Sequence, residues 1–348
     1  MATSIFIRSP LVFLVILLVN LLVRARQDII PPPNTPVIEG PEGLTDAQVA
    51  IFYRTFQDAI YLARHTALYW PCDAANDEVF TRYFDAEDAE FVKNIFRAIA
   101  NIDFDLDLSD PETVRQLAEE PLTYNEQFTR LSIHFLGDHP GLEQPGLPAP
   151  DHSCADGATW LAFVVPTHAG DSALMSFCAL TYQLKPMLAD VERAADWAID
   201  PTKDQSNGPQ YYDGYGCENL GDVDSDWMHS TGSVLLHELL HFPGLFSDVP
   251  DYYRKIVTAY DEDTPHFISD FYGDWPEDGY GTYNSAEIKR YHPRDQDWLE
   301  WLPIYNADNY ANYAVSQYYA RTCMRVFGET PSEAAAWPER PPPPDPFS

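Results

Sequence analysis

Residues Ser230–Gly244 read STGSVLLHELLHFPG, and the rest of the chain is best read outward from them. His237-Glu238-Leu239-Leu240-His241 places two histidines four residues apart. On a helix, positions i and i+4 share one face, about one turn apart. Both imidazoles then aim at one point, and neutral imidazole nitrogen is a favoured ligand of zinc. Glu238 follows the first histidine, where its carboxylate reaches a water rather than the metal. Two ligands and one general base are the parts needed for metal-assisted hydrolysis of a peptide bond.

The surrounding residues predict a helix. Val234, Leu235, Leu236, Leu239 and Leu240 are apolar on nearly every side, as in a buried helix. Ser230 or Thr231 caps its start, and Pro243-Gly244 ends it. A charged Glu238 in so apolar a helix calls for a role, because burying an unpaired carboxylate is costly.

The chain has 348 residues, 45% of them hydrophobic and 14% aromatic, enough for a sizeable core in one large or two small domains. A formal net charge of −33 argues against nucleic acid and anionic membranes as partners. Met1–Ala25 has the form of a secretory signal peptide, with Arg8 before the apolar run Leu11–Val23. Arg24 and Arg26 keep an uncleaved anchor open as the alternative. The five cysteines then meet an oxidising compartment, where two disulfides and one leftover thiol are expected. Cys154 and Cys178 flank a predicted hairpin and form the first expected pair; Cys72–Cys323 is the second guess.

Along the chain, residues 26–44 form a Pro-rich linker or pro-segment, residues 45–330 the folded domain, and residues 331–348 a Pro-rich disordered tail. Thr45-Asp46-Ala47-Gln48 resembles a capping box ahead of a helix over Val49–Trp70. Asp77–Ala100, Pro111–Glu120 and Asn125–Phe135 are further helical candidates. Thr159–Pro166 and Ser172–Thr181 predict two strands around a turn. Helices return over Pro186–Ala198, Asp251–Tyr260, from Ser285, and over Asn306–Tyr319. The class is α+β, mostly helical with a small β-sheet or hairpin. His65, His134 and His139 read as core or surface histidines, and Asp103, Asp105, Asp107 and Asp110 as a solvated acidic loop.

Two histidines leave a catalytic site one ligand short. Ser247 stands where a third histidine of the longer HExxHxxGxxH pattern would be. The pieces that remain are His237–His241, an acidic stretch before Tyr280-Gly281, and Asn306-Ala307-Asp308-Asn309-Tyr310-Ala311. Together they resemble the deuterolysin-like aspzincins, which include the lysine-specific metalloendopeptidases and their fungal relatives, over about Trp160–Cys323. The resemblance implies a zincin-like metalloprotease domain and an aspartate as third zinc ligand. Asp270, between Ile268-Ser269 and Phe271, has the expected setting, with Glu277, Asp278 and Asp248 as alternatives. An insertion, Tyr272–Gly279, then separates the ligand from its Tyr-Gly turn, a departure from the family pattern.

The expectation is a secreted, monomeric zinc endopeptidase acting on protein or peptide substrates, with Glu238 as general base and Tyr280 or Tyr283 as oxyanion donor. The acidic Asp261–Asp278 stretch points to Lys or Arg near the scissile bond. The alternative is a catalytically silent relative that sequesters zinc or presents a recognition surface.

Overall fold

Thr45 and Gln48 open the first long helix by capping each other. The Gln48 backbone N–H donates to the Thr45 hydroxyl, and the Thr45 N–H donates to the Gln48 side chain at 2.8 Å. Such a box contributes about 1 kcal/mol to the helix it starts. The helix is α1 (Asp46–Leu68), and its Phe52, Phe56, Ala59, Ile60 and Ala63 are buried, as their spacing predicts. Four other long helices follow: α2 (Ala89–Ile99), α3 (Thr231–Leu240), α4 (Gly281–Tyr291) and α5 (Ala307–Thr322). The computed structural model describes residues 33–39, 44–143, 153–155, 159–167, 169–256, 267–291 and 302–347. These lie in one unit, Pro33–Ser348. The proposed signal peptide and most of the linker lie outside them.

Four short strands form one mixed sheet. They are β1 (Val37–Glu39), β2 (Leu131–Phe135), β3 (Ala162–Pro166) and β4 (Ala173–Phe177), in the order β1-β2-β4-β3. β1 and β4 run parallel to β2, and β3 closes back antiparallel on β4 with Val164 opposite Met175. The hairpin is therefore the one expected from sequence, and it leaves β3 on an edge. The architecture is α+β with a small mixed sheet.

Two segments differ from expectation here. Residues 37–39, within the expected Pro-rich linker, form a parallel strand. Asn125–Phe135, a helical candidate by sequence, is a 3-10 turn over Glu126–Arg130 followed by β2. Leu131, Ile133 and Phe135 are buried while Ser132 and His134 are only partly so, which is a period of two. The Asn125 side chain caps only the short turn, accepting from the Gln127 N–H.

α3 is held between α1, α5 and the sheet. Gly232 permits the closest approach: a Cβ there would lie 2.6 Å from Asp58 Cβ on α1. α5 is buried on almost every side despite its polar composition. Tyr310, Tyr313 and Tyr319 are fully buried, and Tyr310 and Tyr313 pack edge-on against Phe84. The prediction of one helix over Asp77–Ala100 fails at this cluster. The chain turns extended at Phe84 to seat that ring, so only Phe80–Tyr83 and α2 are α-helical.

Cys154 and Cys178 are bonded, as expected. The second disulfide joins Cys217 to Cys323, and Cys72 is a free, exposed thiol, which corrects the guess of Cys72–Cys323. Sequence spacing cannot supply such a pairing, because Cys217 and Cys323 are 106 residues apart and meet only through the fold. Residues of the C-terminal segment contact the rest of the described chain. Tyr215 donates to the Pro341 carbonyl at 2.6 Å, and the Phe347 ring sits 5.1 Å from Tyr182. No helix among the described residues is long and apolar enough to cross a membrane.

Candidate metal centre

Ser230 starts α3 with its own box: its hydroxyl accepts from the Ser233 N–H, and Ser233 returns a bond to the Ser230 N–H at 2.9 Å. The helix runs to Leu240, with His241 as its last cap residue. His237 and His241 thus stand one turn apart, and their Nε2 atoms approach to 3.2 Å.

Each imidazole is fixed from behind. His237 Nδ1 is 2.6 Å from Asp308 Oδ1, and His241 Nδ1 is 2.7 Å from the Ile268 carbonyl. A carbonyl can only accept, so His241 carries its proton on Nδ1 and offers a lone pair at Nε2. The same orientation holds for His237 when Asp308 is ionised. Asp270 completes the group, with Oδ1 3.1 Å from His237 Nε2 and Oδ2 3.5 Å from His241 Nε2.

Two imidazole Nε2 atoms and a carboxylate therefore converge on one point, where a proton held by His237 and shared with Asp270 is the positive charge that a cation would replace. Burial alone would lower the pKa of both imidazoles. For His237 the facing Asp270 and Asp308 reverse this and hold it well above its ordinary value, while His241 stays below. Burial opposes ionisation of Asp270, but His241, His237 and the Tyr280 hydroxyl keep its carboxylate ionised far below the usual range. The group calls for positive charge at its centre. Separations of 3.1–3.5 Å fit the edges of a tetrahedron whose ligands lie about 2.0–2.2 Å from an ion. His237, His241 and Asp270 could hold a metal ion.

The loop that delivers Asp270 is tied to α5. Ser269 and Ala307 exchange backbone bonds with this region, Ser269 N–H to Tyr305 O at 2.8 Å and Ala307 N–H to Ser269 O at 2.9 Å. The Asn306 amide accepts from Phe271 N–H at 3.1 Å and donates to Gly279 O at 2.9 Å. Asn309 and Asn312 extend the net to Tyr83 and Ser285 on the neighbouring segments. Three buried asparagines, Asn306, Asn309 and Asn312, thus tie the loop that carries Asp270 to α5 and its neighbours.

Of the alternatives for the third ligand, Asp248 and Glu277 are exposed, and Asp278 instead accepts from Tyr280 N–H and Asn284 at the start of α4. Tyr280 is at the site: its hydroxyl donates to Asp270 Oδ2 at 3.0 Å, and its ring stacks on His237. Tyr283 does not line the cleft. Glu238 is buried and lines the cleft, and its carboxyl makes no hydrogen bond among the described residues; burial pushes that carboxyl up to about 8. His65 lies among the rings of Tyr69 and Tyr318, and His139 bonds Ser132, so neither joins the site.

The role of Asp308 was not read from sequence, although its segment was. Asp308 Oδ2 also accepts from the Gly281 N–H at 2.5 Å, so one carboxylate joins α3, α4 and α5 behind the histidine. His237, Glu238, His241, Asp270, Tyr280 and Asp308 line a cleft of about 690 Å³ bordered on one side by β3. No protein-family model matches the chain, and no curated protein matches it either.

Proposed function

We propose that this protein is a secreted zinc-dependent endopeptidase with a zincin-like fold, related to the deuterolysin-like aspzincins. The observation that carries this reading is the convergence of three metal-facing side chains beside a buried carboxylate that nothing else uses. His237, His241 and Asp270 would hold the ion, and the mixed nitrogen and oxygen donor set suits zinc. A bound zinc would supply Lewis acidity at the substrate carbonyl and at the attacking water.

Glu238 takes the proton of that water and delivers it to the leaving amine. Burial pushes this carboxyl up to about 8, so it favours holding a proton near neutral pH, and positive charge at the metal position would favour the ionised form that acts as base. Tyr280, whose hydroxyl stands beside Asp270, turns a hydrogen bond to the carbonyl oxygen as that oxygen gains charge. β3 lies at the sheet edge along the cleft, placed to hold an extended peptide by strand addition. Two disulfides suit an oxidising compartment, in keeping with export.

A silent zinc-sequestering relative would need no base. The partnerless Glu238 favours the enzyme. The experiment is Glu238→Gln in the full-length protein. It is expected to retain one zinc per chain and lose hydrolysis of denatured casein, while a chelator abolishes hydrolysis by the wild type. Undiminished hydrolysis by the variant removes Glu238 as the base; a wild type that binds zinc yet cleaves nothing supports the silent alternative.

A further inference from the structure

From the C-terminal segment, Trp337 joins the lining of the cleft. It is 47% exposed, a large apolar face turned to solvent beside the metal-facing residues. Its position is fixed rather than adventitious. Gly281, with φ +79°, leaves bare backbone under the indole, and a Cβ there would fall 2.7 Å from Trp337 Cζ2. Three residues on, the Arg340 guanidinium is buried and donates to the Trp227 and His229 carbonyls, each at 2.9 Å. Trp227 Nε1–H donates to the Glu339 carbonyl at 3.2 Å. These contacts hold the segment just after Trp337 against the loop that leads into α3, and Trp337 itself against the start of α4.

The charges at this end of the cleft cancel. Lys185 is ion-paired with Asp226, and its ammonium lies 5.8 Å from the Trp337 ring centroid. The carboxylate is already met by a cation, so this part of the cleft does not call for a basic side chain, whatever the charge of the whole protein. Trp160 and Val164 on the strand side and Val234 and Ala311 on the helices supply the rest of an apolar lining. A half-exposed indole in a cleft with this apolar lining gains most from covering by another large apolar group.

We propose that Trp337, carried on the C-terminal segment, is a specificity-determining residue that receives a large apolar or aromatic side chain of the substrate peptide. This rests on the peptidase reading above, and its test is a binding measurement that does not require turnover. Two decapeptides of Ser and Ala, differing only in a central Phe or Gly, are titrated calorimetrically into zinc-loaded Glu238→Gln protein. The Phe peptide is expected to bind about tenfold more tightly. In E238Q/W337A that preference falls to within about twofold, and in E238Q/W337F most of it returns. Circular dichroism and zinc content check that each variant is folded; should W337A not fold, Trp337→Leu takes its place. Equal affinity for the two peptides, no binding of either, or a preference that survives loss of the indole overturns the proposal. Preferential binding with no hydrolysis by the wild type leaves this proposal standing and removes the peptidase reading alone.

Discussion

His237 Nδ1 lies 2.6 Å from Asp308 Oδ1, a contact between residues 71 apart in sequence that fixes which nitrogen of the imidazole faces the cleft. The other oxygen of Asp308 holds the Gly281 N–H, so the carboxylate cannot turn away. Partners of this kind set the tautomer and basicity of a ligating histidine, and their loss typically weakens metal binding 10- to 100-fold.

Asp308→Ala is therefore expected to remain folded and to bind zinc about 10- to 100-fold more weakly, measured by competition with a chromophoric chelator. Asp308→Asn, which keeps an acceptor for one of the two bonds, is expected to lie between. Wild-type affinity in the alanine variant would show that the contact does not orient His237.

The four acidic residues considered from sequence separate sharply. Asp270→Ala is expected to abolish stoichiometric zinc, whereas Asp248→Ala and Glu277→Ala bind one zinc per chain. Asp278→Ala also keeps its zinc but loses some stability, since Asp278 accepts from the Tyr280 N–H and the Asn284 side chain at the start of α4. Loss of such a hydrogen bond costs about 1 kcal/mol. Metal analysis after gel filtration reads the first set, and denaturant melts the second.

Arg82 and Asp224 form a buried ion pair, with side chains 6% and 1% exposed, and Tyr83 donates to the same carboxylate at 2.8 Å. Arg82→Met leaves Asp224 without its cation. The expected loss is about 3–5 kcal/mol, read from the urea midpoint, because an uncompensated buried charge is left behind. A loss below 1 kcal/mol would mean that the carboxylate finds another partner or takes up a proton.

His65 is buried among tyrosines, and burial lowers its pKa from 6.5 to about 3, with Arg321 adding to the shift. The unfolded chain binds this proton first. Stability contributed by neutral His65 is thus intact above about pH 6.5, falls as pH drops below it, and levels off near 3. At pH 5 the loss is on the order of 2 kcal/mol. His65→Gln is expected to flatten the stability profile between pH 6.5 and 4; an unchanged slope would assign the acid sensitivity to other groups.

What the sequence made legible was local. A helix with residues at i and i+4 announces its own face, so His237 and His241 needed no tertiary knowledge. Thr45 and Gln48 declared a helix start, and Cys154 and Cys178 flanked a hairpin that β3 and β4 form. Asp270 was reachable because its neighbours Ile268, Ser269 and Phe271 matched a pattern. The misses are long-range. Cys217 meets Cys323 only when α5 is in place, and β2 forms from a segment with a helix-like start because two parallel neighbours supply its ladder. In the C-terminal segment, Arg340 and Phe347 find sites that only the finished fold creates. Asp308 belongs to the same class: its segment stood out, but its contact with His237 exists only once α3 and α5 pack.

The most direct test is crystallography of the zinc-loaded protein with anomalous scattering at the zinc edge. The account predicts one peak with His237 Nε2, His241 Nε2 and an Asp270 oxygen each about 2.0–2.2 Å away, and with Glu238 near but not bound. A peak elsewhere, or none at this position in zinc-saturated crystals, would contradict it.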